Sequence, residues 1–309
     1  MVIPMGKGRH SRPPRFPRLR RTIAILSLVL LVAVLTPLGL QTATNGSDQL
    51  VPASLHTTTT LSDNPFEHRA VQRFLAGREN IVTASLCDLR TGRVYSFNPG
   101  RPLRTASMVK IDILAALLHS YEQRHRSLSD EEKRTAQLMI EHSDNDAATT
   151  LFTTLGGPDV LNAFNASIGM TQTTSQWDWG ATVTTPYDEI ALLRVLVLPS
   201  AVLTDDDRNF ELQLMEHVVG YQRFGVGQGL PPEALVGLKN GWFPYESGWG
   251  INTAGYVMLG NTEYLVAIQT GNNPDQRYGR ATVSTLSALL WRAERSISSI
   301  PIPSYVNVK

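Results

Sequence analysis

Cysteine is nearly absent from this sequence of 309 residues, in which Cys87 is the only one. A single thiol excludes an intrachain disulfide, a small domain held together by disulfides, and a metal site built from several thiolates. The seven histidines form no His-Glu-x-x-His or His-x-His pair, and no Gly-x-Gly-x-x-Gly or Walker motif is present. The sequence therefore predicts neither a metal site nor a bound cofactor.

A large excess of charge of one sign is also missing, since 28 basic residues balance 27 acidic ones to a net charge of +1. The distribution of these charges is uneven. Residues 1–21 contain seven Lys or Arg and no acid, which leaves the rest of the chain with a net charge of −6. A mildly acidic body lacks the basic surface that neutralises phosphates, so we expect no nucleic-acid partner.

A hydrophobic segment follows the basic N-terminus, and two interpretations of it compete. Residues 23–35 are apolar except for Ser27, a length typical of a cleaved signal peptide. The full run to residue 40 would span about 27 Å as a helix, enough for an uncleaved anchor. The cleavage signal before Ala43 is poor and no cysteine stands there to carry a lipid, which favours the anchor. Either way, we expect the body to be exported, because the cations of residues 1–21 should stay in the cytoplasm.

Composition divides the sequence into five parts. We predict a basic cytoplasmic N-terminus (residues 1–21), a signal anchor or signal peptide (22–40) and a Thr/Ser-rich stalk (41–63). One folded domain (64–296) and a short tail (297–309) follow. The folded part contains no internal repeat. We expect a monomer that is attached to the membrane through its N-terminal segment.

Local patterns in the folded part predict a mixture of helices and strands. Apolar runs bounded by turn residues indicate strands at 80–89, 94–97, 234–239, 250–259 and 263–270. Helical spacing and caps indicate helices at 64–78, 107–121, 130–141, 146–155 and 281–296, with others starting after Thr185 and Thr204. Because the early hairpin and the late strands must share a core, we predict an α+β fold. It has an antiparallel five-stranded sheet flanked by helices, and a helical lobe.

The first chemical signature is a serine followed three residues later by a lysine, Ser107 and Lys110, at the start of an apolar helix. This spacing places both side chains on one face, one turn apart. Backbone N–H groups at a helix N-terminus stabilise a developing oxyanion, and a partly desolvated lysine can remove the proton of the hydroxyl. The pattern indicates an activated nucleophile; a capping serine beside a solvated lysine is the alternative.

Two further motifs follow along the chain. Ser-Asp-Asn at residues 143–145 lies in a break between two helices, and Lys-Asn-Gly at residues 239–241 ends a predicted strand. Ser-x-x-Lys, Ser-Asp-Asn and Lys-(Thr/Ser)-Gly, in this order, are the motifs of class A β-lactamases and penicillin-binding proteins. The sequence resembles this superfamily over residues 64–296, and class A β-lactamases most closely.

The resemblance implies a catalytic role for each motif. Ser107 would attack a carbonyl and form an acyl-enzyme, and Lys110 would take its proton. Ser143 would relay a proton to the leaving nitrogen with the help of Lys239, while Asn145 would hold the substrate amide and orient Lys110. Such an enzyme needs no cofactor and acts on a β-lactam or a related small-molecule or peptidoglycan-type substrate.

The same resemblance implies how the substrate is held. The backbone N–H groups of Ser107 and Trp242 would form the oxyanion hole, and Gly241 belongs to the substrate-binding strand beside them. Asn240 replaces the usual Thr or Ser, so an amide rather than a hydroxyl would meet the substrate carboxylate. Trp249 stands where an arginine supporting that carboxylate is expected. Both changes make fast penicillin hydrolysis less expected than the fold alone suggests.

A further departure concerns removal of the acyl group. In class A enzymes a glutamate of the Ω-loop activates the water for this step. The matching residues 175–183 form a shorter segment without glutamate, and Asp178, its one acid, is the candidate base. A surface acid is the alternative for Asp178. Trp177 and Trp179 would pack the loop down as a lid or line an apolar pocket.

Three functions remain open at this point. The first is an exported serine hydrolase of the class A β-lactamase type, acting on a β-lactam or a cell-wall-type amide or ester. The second is a penicillin-binding or D,D-peptidase-like protein that loses its acyl group slowly. The third is a non-catalytic binding module at the cell surface. The retained serines and lysines favour the first two, and the missing glutamate, Asn240 and Trp249 favour the last two.

Overall fold

The computed structural model describes residues 63–299. The predicted basic N-terminus and membrane segment, nearly all of the predicted stalk and most of the predicted tail lie outside the described residues. Within residues 63–299, no helix combines the length and apolar character needed to cross a membrane. The boundaries predicted for the five parts stay predictions.

A five-stranded antiparallel sheet forms the centre of the fold, as the sequence predicts. The strands of the described residues are β1 (Ile81–Asp88), β2 (Val94–Phe97), β3 (Leu103–Arg104), β4 (Val183–Thr184), β5 (Leu235–Tyr245), β6 (Gly248–Leu259) and β7 (Thr262–Asn273). The sheet has the order β2-β1-β7-β6-β5, so the early hairpin joins the late strands. β3 and β4 pair separately; the sequence does not predict them because two residues are too few to show alternation.

Strand β5 is longer than predicted and contains the lysine motif in its middle. We expected the strand to end near residue 239, and the residues that follow include Gly241 and Pro244, which are ordinarily unfavourable in strands. β5 is an edge strand, where proline is tolerated, and it pairs with β6 from Leu235 to Tyr245. The prediction that the motif ends the strand is therefore wrong.

Helices cover the sheet and build the lobe. They are α1 (Arg69–Ala76), α2 (Lys110–Glu122), α3 (Asp130–Glu141), α4 (Asn145–Leu155), α5 (Pro158–Ser167), α6 (Pro186–Val197), α7 (Asp205–Glu216) and α8 (Gln276–Ser298). Ser129 forms the predicted capping box, and Thr185 and Thr204 cap α6 and α7 as predicted. The sequence analysis does not predict α5, because Pro158 marks the end of α4 and is also the first residue of α5.

Helix α2 lies at the centre of the core. All residues from 110 to 118 are buried, and α4, α5 and α7 pack against it. Runs of consecutive buried residues in β6 and β7 show that the sheet is covered on both faces. α8 contacts β6 and β7, while α6 contacts β1 and β7. This packing brings the start of α2, the α3–α4 connection and β5 to one place.

Candidate active site

Ser107 lies in a 3₁₀ turn, Ala106–Val109, immediately before α2. We expected the α-helix to begin at residue 107, but it begins at Lys110. A 3₁₀ helix has three residues per turn, so Ser107 and Lys110 lie one above the other. Ala106 has a positive φ of 49°, a conformation that is costly for a residue with a Cβ atom. The serine is therefore presented by a strained turn, a feature that is frequent at functional sites.

Strand β5 passes very close to this turn at Gly241. A Cβ atom there would lie 2.2 Å from the main-chain oxygen of Thr105 and 3.0 Å from the nitrogen of Ser107, so only glycine fits. Asn252, paired with Gly241 on β6, donates from Nδ2 to the same Thr105 oxygen at 3.0 Å. The strand that carries Trp242 is thereby held beside the nitrogen of Ser107. The oxyanion hole formed by these two residues stays a prediction that this approach supports.

Lys110 is fully buried, and oxygen atoms surround its amine. Nζ donates to the main-chain oxygens of Ser143 (2.7 Å) and Asp144 (3.1 Å), to Oδ1 of Asn145 (2.9 Å) and to Oγ of Ser143 (3.3 Å). Burial lowers the pKa of Lys110 to about 7, although the negative charge of Asp144 opposes this shift. Near neutral pH a large fraction of Lys110 is uncharged amine, the form that accepts a proton.

The predicted Ser-Asp-Asn motif connects α3 and α4, and its three side chains make different contacts. Ser143, with a positive φ of 58°, places its hydroxyl near Lys110. Asp144 caps α4 by accepting a hydrogen bond from the N–H of Ala147 at 2.8 Å. Asn145 is solvent-exposed and holds the amine of Lys110 with its amide oxygen. The structure thus brings Ser143 and Asn145 together with Lys110.

Lys239 is a second buried amine. It lies inside β5, where burial lowers its pKa well below the usual value and the positive charge of Lys110 adds to the effect. Its Nζ makes a long hydrogen bond of 3.4 Å to the main-chain oxygen of Asn240. The charge of Lys110 therefore disfavours the charged form of Lys239.

Asn240 is fully buried and holds a neighbouring loop. Its Nδ2 donates to the main-chain oxygens of Gln222 and Phe224, the latter at 2.9 Å. Gln222 in turn donates from Nε2 to the main-chain oxygen of His142 at 2.7 Å. These contacts give Asn240 a positioning role in the structure, while its direct contact with a substrate stays a prediction.

Asp178, the candidate base for removal of the acyl group, is turned toward Arg104. Its carboxylate accepts a hydrogen bond from Nη2 of Arg104 at 2.9 Å, and its side chain is 68% exposed. Arg104 also donates from Nε to the main-chain oxygen of Gly180 at 3.0 Å. The pair fastens the short loop to β3, and the role of Asp178 as a base stays a prediction.

Trp179 is the loop residue that contacts the site. The Nζ of Lys110 lies 4.9 Å from the centre of its ring, and its Nε1 donates to Oγ1 of Thr149 at 3.1 Å. Trp177 differs, because it is 69% exposed and makes an edge contact with Phe152. The sequence analysis gives two alternative roles for both tryptophans, as a lid over the site or as the lining of an apolar pocket. Contact between Trp179 and Lys110 depends on long-range packing that no local pattern reveals.

Arg280 is a residue of the site that the sequence analysis misses. Its guanidinium lies over the rings of Phe224 (4.6 Å) and Trp242 (5.0 Å). Its Nε is buried and has no hydrogen-bond partner among residues 63–299. No local signal marks this arginine, because α8 brings it to β5 from the far end of the chain.

The assembled groups define a class of chemistry. Among the described residues, no group of three or more His, Cys, Asp or Glu side chains is arranged to hold a metal ion. Two hydroxyls and two amines with lowered pKa values lie together beside backbone N–H groups. Such a set is suited to acyl transfer through a serine ester.

A family comparison agrees with this class. The model of the beta-lactamase enzyme family, Beta-lactamase2, matches residues 132–293, which are more than half of the chain, and the chain belongs to this family. The matched region includes the Ser-Asp-Asn and Lys-Asn-Gly motifs. It begins after Ser107 and Lys110, whose assignment depends on the motif and the geometry.

Individual proteins extend the comparison. The candidate lipoproteins LppW of Mycobacterium tuberculosis and Mycobacterium bovis are 25% identical over 211 residues, 66% of this chain and 67% of theirs. A class A beta-lactamase of Bacteroides cellulosilyticus superposes with a TM-score of 0.67 and 16% identity, over 75% of this chain and 99% of that one. A beta-lactamase of Chitinophaga pinensis superposes with a TM-score of 0.66 and 17% identity, over 72% of this chain and 97% of that one. The fold is that of class A β-lactamases.

Proposed function

We propose that this protein is a serine hydrolase of the β-lactamase type that forms an acyl-enzyme through Ser107. Its substrate is a β-lactam or a related cell-wall-type amide or ester. The observation that carries the proposal is the buried amine of Lys110, which has a pKa of about 7 and contacts Ser143 and Asn145. An amine of this kind is a competent base at neutral pH, and it lies one 3₁₀ turn from the serine.

Acylation then proceeds in two proton transfers. Neutral Lys110 takes the proton of Ser107 while Oγ of Ser107 bonds to the carbonyl carbon of the substrate, and the backbone N–H groups of Ser107 and Trp242 stabilise the oxyanion. When the amide C–N bond breaks, the proton passes from Lys110 through the hydroxyl of Ser143 to the leaving nitrogen. Lys110 returns to the neutral form, which its burial favours.

Arg280 gives the site a preference for anionic substrates. Its guanidinium is held between Phe224 and Trp242, and the buried Nε leaves part of its hydrogen-bonding capacity unused among the described residues. In this proposal Arg280 attracts the carboxylate of the substrate. It thereby replaces the arginine that the family resemblance leads us to expect at the position of Trp249.

A second candidate function is a penicillin-binding or D,D-peptidase-like role with slow loss of the acyl group. One observation favours it: the single acid of residues 175–183, Asp178, is paired with Arg104. A site that acylates well but lacks a free carboxylate for the water would retain its adduct. The two candidates share the acylation chemistry and differ in the fate of the ester.

The proposal includes export of the catalytic domain. The order of a basic segment and an apolar segment at residues 1–40 supports an extracytoplasmic domain on a membrane anchor, or a secreted one after cleavage. The mycobacterial relatives are named as candidate lipoproteins, which agrees with such a location. This chain has no cysteine at the end of the apolar segment, so that segment itself would be the anchor.

Intact-protein mass spectrometry tests the proposal. The full-length chain in mild detergent is mixed with benzylpenicillin, and adduct and remaining substrate are followed over time. We expect a mass increase of one penicilloyl group that is absent from Ser107→Ala and present in Ser296→Ala, which removes an exposed serine of α8. A transient adduct with continuing loss of substrate indicates a β-lactamase, and a lasting adduct indicates the second candidate. No adduct, with small esters also untouched, contradicts both.

A further inference from the structure

The amine of Lys110 is enclosed by protein groups. Its Nζ faces oxygen atoms of residues 143–145 and the ring of Trp179, whose centre is 4.9 Å away. The entire side chain is fully buried. A proton can pass between Lys110 and the hydroxyl of Ser143, which already touches it. The indole thus covers one side of this amine.

We propose that Trp179 shields Lys110 from water and thereby makes the acyl group on Ser107 long-lived. This inference rests on the proposed acyl-enzyme function. Hydrolysis of the ester requires a base that takes a proton from water as its oxygen bonds to the acyl carbon. It also requires a proton for Oγ of Ser107 as the ester C–O bond breaks. Lys110 is the base that lies one 3₁₀ turn from Ser107, and the indole closes the access of water to it.

The ring is fixed in this position. Its Nε1 donates to Oγ1 of Thr149 on α4. On the C-terminal side, Arg104 donates to the main-chain oxygen of Gly180, and the N–H of Ala181 donates to the main-chain oxygen of Asp178. A ring held by its own hydrogen bond and by its flanking backbone excludes water more effectively than a mobile side chain.

Two carboxylates of this region, Asp144 and Asp178, are engaged in other contacts. Asp144 caps α4 through the N–H of Ala147, and Asp178 pairs with Arg104. Residues 175–183 contain no further acid. With these groups occupied, access of water to Lys110 determines how fast the ester is hydrolysed.

Removal of the ring has a second consequence, which concerns the pKa of Lys110. Burial is the largest cause of its lowered pKa, so water admitted beside Nζ raises that pKa. Loss of the cation–π contact with Trp179 acts in the opposite direction, but an exposed ammonium gains more from hydration than from one ring. Acylation therefore shifts to higher pH when the ring is removed.

The experiment compares the lifetime of the adduct in full-length variants. Excess benzylpenicillin is removed after acylation, and loss of the penicilloyl mass is timed. Trp179→Ala is expected to shorten the lifetime by roughly tenfold to a hundredfold, in the lower range for general-base assistance. Trp177→Ala is the matched control, because it removes the same side chain two residues away without opening Lys110. Thr149→Val deletes the hydrogen-bond acceptor of the indole, together with the hydrogen bond from Thr149 to the main-chain oxygen of Asn145, and is expected to give a smaller change in the same direction.

The outcomes separate the inference from the function on which it rests. No adduct on the wild-type chain overturns both. An adduct whose lifetime is the same in Trp179→Ala and wild type, or equally short in Trp177→Ala, overturns the inference alone. If Trp179→Ala does not fold, Thr149→Val decides by the lifetime of its adduct. An alkaline shift of the acylation profile in Trp179→Ala, absent from Trp177→Ala, supports shielding over a general loss of structure.

Discussion

Two clusters of buried ionisable side chains meet on α2, and they differ in how their polar atoms are satisfied. The amine of Lys110 has four oxygen contacts, all from residues 143–145. Asp112, two residues further and also fully buried, accepts one side-chain hydrogen bond, from Nδ2 of Asn165 at 3.3 Å. Its other oxygen has no hydrogen-bond partner among residues 63–299.

The acidic cluster continues on α6 and α7. Glu189 and Glu211 are fully buried, and their pKa values are raised well above the usual range, first by burial and then by the negative charge of Asp112. Asp188 adds to the effect on Glu189. In the described part of the chain, no basic side chain forms an ion pair with these glutamates or with Asp112.

The comparison shows that burial makes the stability of the protein depend on pH in opposite directions for a carboxyl group and for an amine. A carboxyl group whose pKa rises on folding contributes stability below about pH 4 that is lost as the pH rises toward neutral. A lysine whose pKa falls to about 7 has the reverse effect, since its contribution is lost as the pH falls from the ordinary lysine range toward 7. Only the amine cluster has its acceptors in place and borders the serine. We expect its shift to serve chemistry and the acidic cluster to affect stability alone.

Replacement of the buried amine gives the largest expected effect. Lys110→Met keeps the length and apolar contacts of the side chain but removes the base. Acylation by benzylpenicillin is expected to slow by about 10²- to 10⁴-fold. Thermal stability should fall modestly, because the main-chain oxygen of Ser143 and Oδ1 of Asn145 lose the hydrogen bonds from the amine. Lys133→Met, at an exposed position of α3, is the control for acylation. Unchanged acylation in Lys110→Met would remove the lysine from the mechanism.

Replacement of a buried acid is the complementary change. Glu211→Met removes two buried oxygens that have no hydrogen-bond partner among the described residues. The free energy of unfolding at pH 8 is expected to rise by about 1–3 kcal/mol, as measured by chemical denaturation. Acylation should stay at the wild-type rate. Glu263→Met, at an exposed position of β7, should change stability by less than about 0.5 kcal/mol. A destabilised Glu211→Met would show that this carboxyl is satisfied in the protein.

The two clusters also show where prediction from sequence succeeds and where it fails. The capping box at Ser129 and the cap at Thr185 followed by Pro186 are local signals, and both are confirmed. The family resemblance implies that Asn145 orients Lys110, and its amide oxygen does accept a hydrogen bond from the amine. In contrast, Glu189 lies in the first turn of α6, where an acid favours the helix dipole whether it is exposed or buried. Its burial depends on α2 packing against it.

Long-range packing explains the remaining omissions in the site. Trp179 meets Lys110, and Arg280 meets Trp242, only because the loop and α8 fold back onto β5 and α2. The position of Asn240 shows the same limit: its place in the motif predicts a substrate group, but its amide holds the loop at Gln222. Spacing identifies which elements carry the chemistry, whereas side-chain direction depends on contacts between distant segments.

A smaller effect is expected from Asp112→Asn, which keeps the shape of the side chain but removes its titration. In the wild type, the free energy of unfolding should fall as the pH rises from about 4 to about 7, because burial raises the pKa of Asp112. The groups facing it are Asn165, Asp188, Glu189 and Glu211. The variant should show a shallower fall over this range, because its amide does not titrate. Denaturation at a series of pH values measures it, and an identical slope contradicts the assignment.

The smallest effect is expected from replacement of Asp178, an exposed acid that contrasts with the buried acids of α2, α6 and α7. Asp178 is exposed and paired with Arg104, and such surface pairs contribute only about 0–1 kcal/mol. Asp178→Asn should leave Trp179 in place, since Thr149 still accepts its hydrogen bond. The lifetime of the acyl adduct should therefore change by less than about twofold, which corresponds to about 0.4 kcal/mol. If the adduct instead accumulates and persists far longer than on the wild type, Asp178 is the base for deacylation. In that case Asp178, and not Lys110, takes the proton of the water that hydrolyses the ester.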